Sequence, residues 1–150
     1  MLSRLATQDP QPQRQALDRL ISEVLSAWNV HDVDHAITFY APDYEGIDVA
    51  EAQPQHGPDG IRRTMTRYLE AFPDMLFTEE ATLIEGDRIA VIWTVEGTHQ
   101  GKLMNIPPTG RRIKVWGTSL LTIADGKIAR ALYVWDVAGL LRGIGLLPDL

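Results

Sequence analysis

The hydrophobic period of the chain changes once, at Pro73, and that change limits the fold more than any other feature of the sequence. Before it, apolar residues recur with helical spacing. Leu17, Leu20, Ile21, Val24, Leu25 and Trp28 stand at offsets 0, 3, 4, 7, 8 and 11, a one-sided stripe that predicts an amphipathic helix from Gln13 onward. Asp32 is placed to cap a second, shorter helix carrying Val33, Ala36, Ile37 and Tyr40, which Pro42 ends near Tyr40-Ala41. Gly57-Pro58 opens a third, with Ile61, Met65, Tyr68, Leu69 and Phe72 on one side and Pro73 closing it.

Beyond Pro73 the chain alternates in strand-like runs separated by tight turns. Met75–Ile84 and Arg88–Thr98 flank Glu85-Gly86-Asp87, and Arg111–Ala124 and Lys127–Trp135 flank Asp125-Gly126, a strong hairpin signal. Glu79-Glu80 blurs the alternation of the first run. Gly101–Gly110 reads as a loop, and Val137–Arg142 has room for a short terminal helix. Helices followed by a meander predict an α+β fold rather than alternating βαβ units. The expected form is a cone: a curved, mainly antiparallel sheet packed against three N-terminal helices, with an open-ended pocket. Residues 13–150 form one domain, and residues 1–12, polar and carrying Pro10 and Pro12, read as a flexible leader.

Composition removes several chemistries. The chain has no cysteine, which excludes thiol nucleophiles, disulfides, iron–sulfur clusters and Cys-ligated zinc. Fourteen Lys+Arg against 20 Asp+Glu give a net charge of −6, which disfavours nucleic acid and anionic membranes as partners. No apolar run has the length of a secretory signal or a membrane span, so a cytoplasmic location is expected. Phosphate-binding glycine motifs, H-E-x-x-H and G-x-S-x-G are absent. His31 and His35 have a metal-ligand spacing, but His31 precedes the helix cap at Asp32, so no metal is expected there. Lys102, Lys114 and Lys127 sit in a loop, on a solvent-facing strand position and at a hairpin, which disfavours Schiff-base chemistry.

What remains is carboxylate, histidine and tyrosine. Asp136 stands at the junction between the last strand and the terminal helix, among apolar neighbours. It reads either as a helix cap or as a general acid/base in an apolar pocket, and the roles are compatible. His99 follows Trp93, Val95 and Gly97 on one strand face, points into the pocket if that face is concave, and is the second expected catalytic residue beside Asp136. Asp48 is a further polar candidate, equally consistent with a solvated loop. Trp93, Trp116 and Trp135 are core residues or a stacking wall for a planar ligand. The expected substrate-contacting set is Asp48, Tyr40, Trp93, Trp116 and Tyr133.

Several segments together resemble the SnoaL-like polyketide and ester cyclases, a group of α+β cones within the nuclear transport factor two-like superfamily. They are Gly97-Thr98-His99-Gln100-Gly101, Pro107-Pro108-Thr109-Gly110-Arg111, Gly117, Asp125-Gly126-Lys127-Ile128, and Asp136 followed by Gly139-Leu140-Leu141 and Gly145-Leu146-Leu147-Pro148. The resemblance covers roughly residues 15–148. It implies an intramolecular aldol closure on a small, polyketide-like carbonyl substrate, with Asp136 as general acid/base, no metal or organic cofactor, and a homodimer formed through the outer sheet face. Ala131-Leu132-Tyr133 and Gly143 depart from the family, whose members commonly carry polar residues there. That departure keeps open a second reading, a binding module holding an apolar molecule in the same cone. A third, hydration or epoxide opening, requires an arginine bridging Asp136 and another carboxylate.

Overall fold

The computed structural model describes residues 10–150. The expected leader lies outside the described residues except for its last three, residues 10–12, which begin the first helix. In chain order the elements are α1 (Pro10–Asn29), α2 (Val33–Ala36) with a 3-10 turn at Ile37–Phe39, β1 (Tyr40–Asp48), β2 (Gln55–His56), α3 (Gly57–Ala71), β3 (Leu76–Glu85), β4 (Arg88–Thr98), β5 (Arg112–Ala124), β6 (Lys127–Trp135) and α4 (Val137–Gly143). The six strands form one sheet in the order β2-β1-β6-β5-β4-β3. All neighbours are antiparallel except β1 and β6, which run parallel. The architecture is the α+β sheet-and-helix arrangement expected from the sequence.

The helical stripes bury as their periods require. Leu17, Leu20, Ile21 and Val24 of α1 and Ile61 and Met65 of α3 pack into the core with Ile89, Val91, Trp93 and Val95 of β4 and Ile113, Val115, Leu121 and Ile123 of β5. Asn29 ties the end of α1 to β3, its side-chain NH₂ donating to the Phe77 carbonyl at 2.9 Å and its oxygen accepting from the Phe77 N–H at 2.7 Å. The blurred alternation at Glu79-Glu80 is a bulge: the β3/β4 register shifts between Glu79 and Ala81.

Two strands were not visible in the sequence. The second helix stops at Ala36, and Tyr40 already belongs to β1. In β1 the inward residues are Tyr44, Gly46 and Asp48, whereas Ile47 faces out. At that end the polarity is the reverse of an ordinary half-buried strand, and with Gly46 between and Pro42 before it hydrophobic alternation cannot detect β1. β2 has only two residues, too short for any periodic signal.

Two of the motif glycines are close-approach positions. At Gly117 a Cβ would stand 2.2 Å from the Trp93 ring, so glycine lets that indole lie flat against β5. At Gly101 a Cβ would stand 1.9 Å from the Glu70 carbonyl oxygen. There the chain leaving β4 abuts the end of α3, and the N–H groups of Gln100 and Gly101 both donate to the Ala71 carbonyl. Because the obstacle at Gly101 is backbone, it cannot rotate away. Gly101→Ala is expected to lower stability by about 1–3 kcal/mol, the usual cost of overpacking, as a reduced denaturant midpoint at unchanged m-value.

Candidate active site

The inner face of the sheet, helices α1 and α3, and Leu140 of α4 enclose a cavity of about 130 Å³. Most of its wall is apolar, drawn from α1, α3 and the inner rows of β4 and β5. Polar groups gather at one end, where β1, β2, β6 and α3 meet. Strand register builds that end. Asp48 lies beside Tyr133 across the β1/β6 pairing, and Tyr133 lies beside Ser119 across β6/β5. Side chains alternate between faces, so these three share the inner face with Trp135, two residues after Tyr133.

Asp48 is the buried carboxylate of this cavity, 5% exposed at the end of β1, whereas Glu96, which also lines it, is half-exposed. Its Oδ1 accepts from the Trp135 indole N–H and the Ala50 backbone N–H, both at 2.9 Å, and its Oδ2 accepts from the Tyr68 hydroxyl at 2.8 Å. Three donors hold the charge without a cationic partner, which is how a buried carboxylate is tolerated.

Beside Asp48 runs a chain of hydroxyls and one amide. The Tyr44 and Tyr133 hydroxyls are 2.9 Å apart, and Tyr44 donates to Gln55 Oε1 at 2.8 Å. Gln55 Nε2 donates to Thr64 Oγ1 at 3.0 Å, and Thr64 donates to Glu51 at 3.3 Å. Arg67 holds Glu51 at 3.0 Å. At the other end the Trp28 indole N–H donates to the Tyr40 hydroxyl at 3.3 Å. Burial pushes the Tyr40 hydroxyl up to about 12, with its hydrogen bonding to Trp28 and Tyr133 opposing it. Burial also raises Tyr44, Tyr68 and Tyr133 well above the usual tyrosine range, and for Tyr68 the neighbouring Asp48 charge adds to it. All four tyrosines of the chain therefore stay neutral and can act as hydrogen-bond donors at neutral pH.

The structure separates the residues singled out from sequence. Asp48, Tyr40, Trp93 and Tyr133 line the cavity. Trp116 does not: it is 55% exposed on the outer face, paired with Thr94. Its parity is that of Lys114, already read as outward, and the opposite of Val115, so alternation was sufficient to place it. Asp136 caps α4, accepting the Gly139 N–H at 2.8 Å, and is exposed outside the cavity wall. Trp135 points inward, so the residue after it must leave the inner face. His99 is fully buried and inward, but Phe72 stands between it and the cavity, with ring centres 5.5 Å apart. Its Nδ1 accepts the Thr109 N–H at 3.2 Å, fastening the loop before β5 to the end of β4. His31 is engaged elsewhere, a ring nitrogen lying 2.8 Å from the Met75 carbonyl oxygen.

Tyr44, Gln55, Thr64 and Tyr68 were not recognised as site residues from sequence, and Trp135 was read there only as a core residue or a stacking wall, not as a donor to Asp48. Tyr68 was visible only as part of the α3 stripe, and nothing local marks Gln55. Among the described residues no arginine pairs with Asp48 or Asp136, so the arginine-bridged pair that hydration requires is not formed. No described helix is long and apolar enough to cross a membrane.

The family model for SnoaL-like polyketide cyclases matches residues 18–144. The nogalonic acid methyl ester cyclase of Streptomyces nogalater is 28% identical over 123 residues, covering 81% of this chain and 92% of its own. The aklanonic acid methyl ester cyclase DauD of Streptomyces sp. (strain C5) is 28% identical over 128 residues, covering 84% and 80%. Among solved structures, AclR of Streptomyces galilaeus, a proposed hydroxylase, superposes with a TM-score of 0.79 at 32% identity, covering 89% of this chain and 87% of its own.

The tyrosine environment has a measurable consequence. For a hydroxyl whose folded pKa exceeds the ordinary value near 10, the stabilising contribution is complete below about pH 10 and is lost as pH rises toward the folded value, about 12 for Tyr40. Phenolate absorbance of the folded protein at pH 10 is expected to stay far below that of the unfolded chain, with the denaturation midpoint falling above pH 10. Tyr40→Phe should flatten that fall.

Proposed function

The chain belongs to the SnoaL-like polyketide cyclase family, and on that footing we propose that it closes a ring by intramolecular aldol addition on a small polyketide-like ester, with Asp48 as general acid/base. The observation that carries the reading is the placement of one buried carboxylate, held by Tyr68 and Trp135, at the polar end of an otherwise apolar cavity. Asp48 takes the proton from a carbon flanked by carbonyls. The enolate oxygen is met by a neutral tyrosine hydroxyl, the enolate carbon attacks a second carbonyl to form the new C–C bond, and the resulting alkoxide recovers the proton from the Asp48 carboxylic acid. Atoms and charge balance without a co-reactant. Holding the two carbonyls together contributes much of the rate, and the acid/base group about 10²–10⁴-fold.

The charge of the wall supports an esterified substrate. The cavity is lined by the carboxylates Asp48 and Glu96, and no lysine, arginine or histidine is among its lining residues. A substrate carboxylate would be desolvated beside like charge with no counterion. The relatives named as methyl ester cyclases fit this requirement. We assign to Asp48 the role that the resemblance implied for Asp136, because Asp48 is buried in the cavity wall and Asp136 is exposed outside it. The same resemblance implies a homodimer, for which the outer sheet face offers exposed Ile47, Trp116, Leu120 and Val134.

Two experiments check these statements. With nogalonic or aklanonic acid methyl ester, Asp48→Asn is expected to lower kcat by about 10²–10⁴-fold with near-ultraviolet circular dichroism retained. Asp136→Asn, which preserves a good cap, should turn over normally. A loss confined to Asp136→Asn would return the catalytic role to that residue. In sedimentation, Trp116→Glu is expected to shift the protein from dimer to monomer.

A further inference from the structure

The relay beside Asp48 carries a direction, and its direction originates outside the cavity. We propose that Glu51 is a positioning residue that orients this relay and thereby makes Tyr40, rather than Tyr133, the hydroxyl that donates to the substrate carbonyl. The inference rests on the cavity reading above and adds which tyrosine meets the oxygen and what selects it.

Each hydroxyl has one hydrogen to place, so the end of the chain determines every link. Glu51 is held by Arg67 at 3.0 Å, and as a carboxylate it only accepts. Thr64 therefore spends its hydrogen on Glu51, and its oxygen must be met by a donor, the Gln55 NH₂ at 3.0 Å. That turns Gln55 Oε1 toward Tyr44, which spends its hydrogen there at 2.8 Å. Tyr44's oxygen can then only accept, so Tyr133, 2.9 Å away, spends its hydrogen on Tyr44. Tyr133 reaches the cavity as an acceptor. Tyr40 also lines the cavity, and its oxygen already accepts from Trp28. Its hydrogen has two destinations, the Tyr133 oxygen beside it or a carbonyl oxygen in the cavity. The indole N–H on its oxygen strengthens it as a donor.

Removing the charge reverses the argument. In Glu51→Gln, Arg67 takes the new amide oxygen and leaves the NH₂ facing Thr64. Thr64 then points its hydrogen at Gln55, the Gln55 amide turns over, Tyr44 donates to Tyr133, and Tyr133 donates into the cavity. The charged groups facing Glu51 are Arg67 of α3 and Asp48 of β1, and neither is altered by this substitution.

The test uses 2-acetylnaphthalene, a neutral planar ketone, and reads its carbonyl infrared stretch and its dissociation constant. In the wild-type background, Tyr40→Phe is expected to abolish the hydrogen-bonded downshift and weaken binding about 2- to 10-fold, whereas Tyr133→Phe keeps the downshift. In the Glu51→Gln background the dependence exchanges: Tyr133→Phe abolishes the downshift and Tyr40→Phe does not. Glu51→Asp restores the wild-type pattern. Should Glu51→Gln fail to fold, Gln55→Met cuts the relay while leaving both carboxylates, since Gln55 is the acceptor that fixes Tyr44, and Tyr40→Phe is then expected to lose its exclusive effect. Dependence on Tyr40 alone in every background, or no downshift in the wild type, overturns the role of Glu51. Failure of the ketone to bind at all overturns the cavity reading with it, which separates the two failures.

Discussion

The parallel pairing of β1 with β6 is the constraint on which the rest of the site depends. It joins a strand from the helical half of the chain to the last strand of the meander, and its register sets Asp48 beside Tyr133. Side chains alternate, so a slip of one residue would carry Asp48 to the outer face and bring Ile47 into the cavity. The three donors to the carboxylate come from β6, α3 and the turn after β1. A buried charge without those donors would cost several kcal/mol, so the same contacts that permit the site also tie the two halves of the fold together.

Around that charge the protein places neutral donors instead of cations. Burial raises all four tyrosines and keeps them neutral, so Tyr68 can donate to Asp48 and Tyr44 to Gln55 while Tyr40 keeps a hydrogen for the cavity. In a low-dielectric wall such dipoles act strongly because they are already oriented when charge develops. Orientation is therefore the quantity to control, and a hydroxyl chain ending on an ion-paired carboxylate is one way to control it.

Much of the fold was legible because it follows from period. The stripes of α1 and α3, the β4 inner row and the Asp125-Gly126 hairpin all appear at the expected places. The site was legible only in part, for specific reasons. Asp136 has apolar sequence neighbours, yet apolar neighbours in a strand alternate between faces and do not enclose the residue after them. Asp48 reads as a loop residue because at the end of β1 the carboxylate faces in while Ile47 faces out. His99 was correctly turned inward, but a face rule does not reveal that Phe72 lies in front of it.

By itself the sequence determined the fold class, most element boundaries, the family resemblance and the absence of thiol chemistry, because these depend on local periodicity, turn residues and composition. Only the tertiary structure decided which carboxylate is buried, which tryptophan faces the cavity end that matters, and how Glu51 connects to Tyr40. Those relations join residues far apart in the chain across the β1/β6 register and the packing of α3. Burial and hydrogen-bond direction are properties of that assembled neighbourhood, and no single segment carries them.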